Sequence, residues 1–399
     1  MGRMYLKKRK GGDRCLPSPE QKLLLRAAIL RSADAVEAWE AWKKRVDVDK
    51  VDPASHRMLP LLYRNLHKLG ISDPAMGKYK GVYRQTWYKN RILFHAIVPV
   101  LRSLGNAGIR TMVLKGAALT VLYYKDYGLR PMNDFDILIR PEQALPAIGL
   151  LKTLGWRPME FEPTQEYISV SYSHGFTNGS GQELDLHWHV LPQSRGVHAD
   201  DDFWDGAAST CINDIPVHAL SSTDQLLHVC IHGARWNLIP PFRWVADAMT
   251  VFDTSLTRID WCRLIVQAEK RRLVLPLLDA LNYLKETFGA PITPEIISRL
   301  EAIRVPAVER MEHRIALTAP TQWTAILDLW CQHCRLAEGS GLPHRIAGFP
   351  NFLQKIWGIP VWKLPLHGLM KTLTWHEDRM TKKPSDTIGS QPGSKSTSP

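Results

Sequence analysis

Asp134 and Asp136 stand in "NDFDILI", residues 133–139, a stretch whose other side chains are mostly those of a buried strand. An ionised carboxylate without a partner is costly away from water, so two of them in such a run call for something to bind. Residues two apart on a strand project to one face, which aims both carboxylates at one point while Phe135 and Ile137 face a core. Acids so placed repel each other unless a cation sits between them, and their oxygens suit Mg²⁺, a hard ion that keeps places for substrate phosphates. Spacing alone is not specific: Asp47 and Asp49 repeat it in a polar segment that reads as a solvated helix end.

Context separates the two pairs. Upstream of Asp134, Gly116 closes one apolar strand and opens a helix, where backbone N–H groups can accept phosphate oxygens, and Lys115 adds a charge beside it. Downstream, Asp185 interrupts "ELDLHWHV", flanked by Leu184 and Leu186. Three acids on adjacent strands converge on one site. Such a triad can hold two metals about 3.5–4 Å apart, bind a nucleotide's phosphates and activate an attacking hydroxyl. The chemistry implied is phosphoryl or nucleotidyl transfer.

Neighbouring residues carry competing readings. Arg130 either contacts a triphosphate or neutralises the acids, and Asn133 either lines the site or caps the strand entry. Glu183 and His187 share the strand face of Asp185; Glu183 is a reserve third carboxylate, and His187 can position an acceptor or an acid. Arg243 and Asp247, at i and i+4, form by default an intrahelical ion pair, with the acceptor side of a cleft as the other reading. His228 and His232 have a spacing that can bind zinc, but no Glu follows the first, so a core or supporting role is the expectation. Cys331 and Cys334 form a lone C-x-x-C on a helix and read as packing residues. The aromatic and lysine-bearing segment 351–375 could lie on a membrane or a partner, but Pro360 and Pro365 break it and packing on the helices is expected.

The elements that must position these residues emerge from periodicity. Residues 1–17 are a basic flexible start, and 18–107 a helical region opened by Ser-Pro. From 108 to 192 the pattern reads strand, helix, strand, helix and then a hairpin, from 166 to 190, around "NGSGQ", a compact α/β unit. Helical periodicity fills a C-terminal region, 193–378, and the Ser, Pro, Gly and Lys-rich 379–399 reads as disordered. The expected fold is α+β: an α/β-type core with a mixed sheet, flanked by N-terminal helices and a C-terminal bundle.

The chain of 399 residues carries 51 Lys and Arg against 39 Asp and Glu, a net +12 that first suggests a polyanionic partner. Both ends are strongly basic, so the body is only mildly so and nucleic acid is not favoured. No secretory signal and no apolar window of about 18 residues is evident, and the six cysteines are dispersed, which together suggest a cytoplasmic protein with reduced thiols.

The motifs "LKGAAL", "RPMNDFDILI" and "LDLHWHV" resemble those of the nucleotidyltransferase superfamily related to DNA polymerase beta, and within it a bacterial group of uncharacterised nucleotidyltransferases, over about 90–340. The resemblance implies that Gly116 is the phosphate turn, Asp134 and Asp136 the metal pair, and Asp185 the third acid. The chain departs from the pattern at Ala117, where the superfamily has Gly or Ser, which removes a hydroxyl contact to phosphate. The activity implied by the resemblance is that of an enzyme using Mg²⁺ or Mn²⁺ to move a nucleoside monophosphate from a nucleoside triphosphate to a hydroxyl on a small molecule, peptide or protein. Lys115, Gly116, Arg130 and Asn133 would hold the nucleotide. The rivals are a kinase-like phosphotransferase using the same acids, and an inactive nucleotide- or RNA-binding module.

Overall fold

The computed structural model describes residues 16–196, 198–233, 242–318 and 321–358. The expectations for residues 1–15, for 359–375 of the aromatic and basic segment, and for 379–399 lie outside the described residues.

Seven strands form one sheet: β1 (Met112–Val113), β2 (Asp134–Leu138), β3 (Arg157–Pro158), β4 (Ser173–Thr177), β5 (Glu183–His187), β6 (Ala208–Ile212) and β7 (Ile215–Ala219). Their order is β3-β4-β5-β2-β1-β7-β6. The sheet is mixed, with β2 parallel to β5 and antiparallel to β1, and β1 parallel to β7. With helices before and after it, the protein is α+β, as the sequence leads one to expect.

Side-chain alternation divides β2 and β5 into two faces. Phe135, Ile137, Leu184 and Leu186 are fully buried against the long Met76–Asn106 helix and the Ala144–Thr153 helix, in one cluster with Phe94, Ile97 and Ile148. Phe94 meets the Phe135 ring edge to face at 5.1 Å and the Tyr127 ring at 4.9 Å, so the helix grips both the strand and the loop that enters it. The opposite face of β2 carries Asp134 and Asp136, with Leu138 joining a second cluster built from the N-terminal and C-terminal helices.

That entering loop, 125–133, is fastened by polar groups. Asn90, fully buried, donates through Nδ2 to the carbonyls of Tyr127 (2.7 Å) and Arg130 (2.8 Å). Its Oδ1 accepts from the Met132 N–H at 3.3 Å. Asp126 accepts from the Gly128 N–H, and the Tyr83 hydroxyl donates to the same carboxylate. A buried backbone turn must find such partners, and here one asparagine on a helix supplies three.

Three local expectations differ from the structure. The helical run 18–46 is two helices, Pro19–Ile29 with a Ser18–Gln21 capping box and Ala33–Lys43 capped by Ser32, because Ser32 caps the second where the chain breaks. Residues 165–168 form a helical turn with Thr164 as its cap rather than the start of a strand. β6 and β7 lie in a stretch read as helical; they pair around Asn213 and Asp214, both left-handed at φ 45° and 66°, the conformation of a two-residue hairpin turn.

Candidate active site

The in-register pairing of β2 with β5 builds the site. Asp134 lies opposite Glu183, Asp136 opposite Asp185, and Leu138 opposite His187, so four acids and one imidazole share a single face of two neighbouring strands. Asp136 is 1% exposed, Asp134 and Asp185 are half-buried, and His187 is buried.

Lys115 reaches into this face. Its Nζ donates to Asp136 Oδ1 at 2.6 Å, stands 3.3 Å from His187 Nε2 and 4.0 Å from Asp185 Oδ2. His187 Nε2 in turn lies 3.0 Å from Asp136 Oδ1. Lys115 has φ 43°, a left-handed conformation that strains a residue with a Cβ and that tends to collect at functional sites.

The charges respond to one another. Burial raises the Asp136 carboxyl, but Lys115 and the hydrogen bond from His187 outweigh it and hold the group well below the usual carboxylate range. Lys115 is pushed down by burial and raised further by Asp136, so it keeps its proton. Burial, then the charge of Lys115, lowers His187, which stays neutral. Asp185 is raised by burial and by Asp136.

Asp134 is pushed up to about 6 by burial, then by the charges of Asp136 and Asp185, from an ordinary 3.8. The folded protein therefore holds this proton more tightly than the unfolded chain does, and ionisation of Asp134 destabilises the fold as pH rises from about 4 through 6. With divalent metal chelated, Asp134→Asn should melt above the parent at pH 7.5, the gap closing as pH falls towards 4. Thermal melts across that range test this; a gap that does not change with pH would show the carboxyl to be unperturbed.

Among the described residues, Asp136, Asp185 and His187 offer donor atoms all within 4.8 Å of one another. These three side chains could hold a divalent cation, at the place where the Lys115 ammonium now lies against Asp136. Asp134 lies outside that compact group, at the strand entry beside the exposed Asn133.

Gly116 sits directly behind the site, and a Cβ there would come within 2.6 Å of Arg130 Nη1 and 3.0 Å of Met132 Cγ. Arg130 cannot yield easily. It is buried, and its Nε and Nη2 donate to the two oxygens of Asp247, each at 3.0 Å, while the Tyr124 hydroxyl donates to Asp247 Oδ1 at 2.9 Å. Gly116→Ala should thus lose about 1–3 kcal/mol of stability through overpacking. Urea unfolding measures it, and a midpoint equal to the parent's would mean that the turn relaxes freely.

The partner of Asp247 is Arg130 rather than Arg243, so the intrahelical pair expected at this spacing does not form. Arg243 instead donates to the Pro131 carbonyl at 2.7 Å. Both residues hold the loop that leads into β2. Tyr124 reaches Asp247 from the end of a π turn, Leu119–Tyr124, that continues the short helix after Gly116.

Beside the acids a small cleft is lined by Lys115, Tyr172, His187, Gln193, His228 and His232, among others. The rings of His228 and His232 stack, 5.7 Å apart and 5° from parallel, as i, i+4 spacing allows. Burial, then the charge of Lys115, pushes His228 down to about 3, so it is neutral at the wall of the site. That spacing was visible in the sequence; its place beside Lys115 was not. Tyr172 and Gln193 carried no signal in the sequence, and only the hairpin geometry brings them here.

The family model described as an uncharacterised nucleotidyltransferase matches residues 54–289, more than half of the chain. The chain belongs to that family. The match spans Lys115, both strand aspartates, Asp185, His187 and the Arg130–Asp247 pair, so the side chains of the candidate site fall within the matched region. Among solved structures, the antibiotic-resistance factor ANT(2'')-Ia, determined in solution, is similar at 15% identity with a TM-score of 0.33, over 49% of this chain and 98% of its own. No curated protein matches. Among the described residues, no helix of this nucleotidyltransferase-family member is long and apolar enough to cross a membrane.

Proposed function

We propose that the protein transfers a nucleoside monophosphate from a nucleoside triphosphate to an acceptor hydroxyl, with a divalent cation held at the β2–β5 face. The observation that carries this reading is the in-register parallel pairing that sets Asp136 beside Asp185, with Lys115 between their carboxylates. Asp134, Asp136 and Asp185 are assigned to the metal, Mg²⁺ or Mn²⁺, which when bound would neutralise phosphate charge and lower the pKa of the attacking hydroxyl.

The chain's own groups do the positioning. Lys115 exchanges its carboxylate partners for phosphate oxygens, and Gly116 lets the backbone approach them, braced from behind by Arg130. Asn133 and Glu183 sit at the strand entries, at the rim of the site. The cleft beyond His187 receives the acceptor, with Tyr172 and His228 as its walls. Holding nucleotide and hydroxyl in line supplies most of what such a reaction needs, since little covalent chemistry is asked of the protein.

Isothermal titration of ATP, GTP, CTP and UTP, with and without Mg²⁺, tests the proposal on the parent and on Asp134→Asn/Asp136→Asn. Metal-dependent binding that the double variant loses is expected. Product analysis then separates the chemistries: pyrophosphate release means attack at the α-phosphorus, whereas a nucleoside diphosphate would identify the kinase-like reaction. A parent that binds no nucleotide at millimolar concentration overturns the reading.

A further inference from the structure

We infer that His187 is itself a metal ligand, adding an imidazole nitrogen to the carboxylate oxygens of the site and giving it a preference for Mn²⁺ over Mg²⁺. The inference rests on the metal-dependent reading above and adds to it a ligand outside the acid triad.

Its basis is the direction of one buried ring. His187 is 1% exposed, and its cross-strand neighbours are Leu138 on β2 and Ser173 on β4, neither of which makes a hydrogen bond to its ring. The ring turns back along β5 so that Nε2 stands 3.0 Å from Asp136 Oδ1 and 3.3 Å from the Lys115 ammonium. Nδ1 is buried and makes no well-formed hydrogen bond, although the neighbouring His189 backbone raises the ring's proton affinity. The polar contacts of His187 are thus concentrated on one nitrogen, aimed at the carboxylates. A histidine kept only for packing would satisfy both nitrogens or be replaced by an apolar side chain at less expense.

Lys115 shows what the constellation is built to hold. Its ammonium is a cation lying against Asp136, His187 and Asp185 together, at 2.6, 3.3 and 4.0 Å. Displacing it towards a phosphate leaves three convergent donors, two oxygens and one nitrogen, with Asp134 near enough to feel their charge. Mg²⁺ favours oxygen ligands and rigid octahedral geometry, whereas imidazole nitrogen raises affinity for the later divalent ions. Mn²⁺ accepts both donor types.

The test is Mn²⁺ binding to the full chain without nucleotide, followed by electron paramagnetic resonance, with pulsed detection of nitrogen nuclei coupled to the bound ion. The parent should bind Mn²⁺ more tightly than Mg²⁺ and show directly coordinated nitrogen. That coupling should change on labelling histidine with ¹⁵N. His187→Gln should remove it and weaken Mn²⁺ at least about tenfold, while His228→Gln should leave it in place. Because the parent's own spectrum reports the ligand, the result stands even if His187→Gln folds poorly. Bound Mn²⁺ without nitrogen coupling, lost on Asp136→Asn, overturns this inference and leaves the transferase reading intact. No Mn²⁺ bound by the parent, with or without inorganic triphosphate, overturns both.

Discussion

Asp136→Asn should reduce transfer by on the order of 10³-fold or more while leaving the protein folded. The side chain keeps its shape and its place on β2, so the change isolates charge. In the parent, Asp136 Oδ1 accepts from Lys115 and faces His187, and the two keep the carboxyl ionised against the effect of burial. The amide removes the negative charge that the Lys115 ammonium pairs with and one of the carboxylate oxygens a cation would bind. Lys115 is 19% exposed, so its ammonium can turn towards water, which limits the loss of stability. The measurement is transfer of labelled nucleotide into fractions that contain an acceptor, beside a thermal melt of the same preparation. Activity within tenfold of the parent would mean that the β2–β5 acids do not carry the reaction.

The residues that could be recognised in the sequence were those that broke a local pattern. Asp134, Asp136 and Asp185 stood out because each interrupts an apolar strand, and the register of β2 with β5 then places them together. Gly116 reads as the end of a strand, but β1 stops at Val113 and Gly116 lies in the short Lys115–Ala118 helix, its close approach to Arg130 leaving no signal. β6 and β7 were hidden because "ASTCI" and "IPVHA" are short and half exposed, with β6 at the sheet edge, so neither shows a strong alternation. Their turn, Asn213-Asp214, was the available signal. Asn90 was illegible for another reason: a polar residue inside a 31-residue helix looks like surface until the loop it holds is known. Contacts made across long separations leave no period in the sequence, and the pairing of Arg130 with Asp247 spans 117 residues.

Breaking that pair should produce the largest loss of stability available near the site. Arg130 and Asp247 have side chains 9% and 5% exposed, and their fork of two parallel hydrogen bonds leaves neither charge in contact with bulk water. Removing one partner strands the other, so Asp247→Asn or Arg130→Met should each cost about 3–5 kcal/mol. The Tyr124 hydroxyl, whose proton is held far above the ordinary tyrosine range by burial and by Asp247, loses that acceptor in any variant that removes the oxygens of residue 247, Asp247→Leu included. An apolar pair of similar volume, Arg130→Met with Asp247→Leu, should recover much of the loss, because a buried ion pair is a poor source of net stability even when breaking it is severe. Nucleotide affinity should not recover with it. The Nη1 of Arg130 stands behind Gly116, and Met offers no rigid planar group to hold the turn in place. Urea unfolding and nucleotide titration on the two single variants and the double separate these effects. A single variant that loses less than about 1 kcal/mol would mean that water enters and solvates the pair. Recovery of both stability and affinity in the double variant would mean that the pair fills space without steering the phosphate turn.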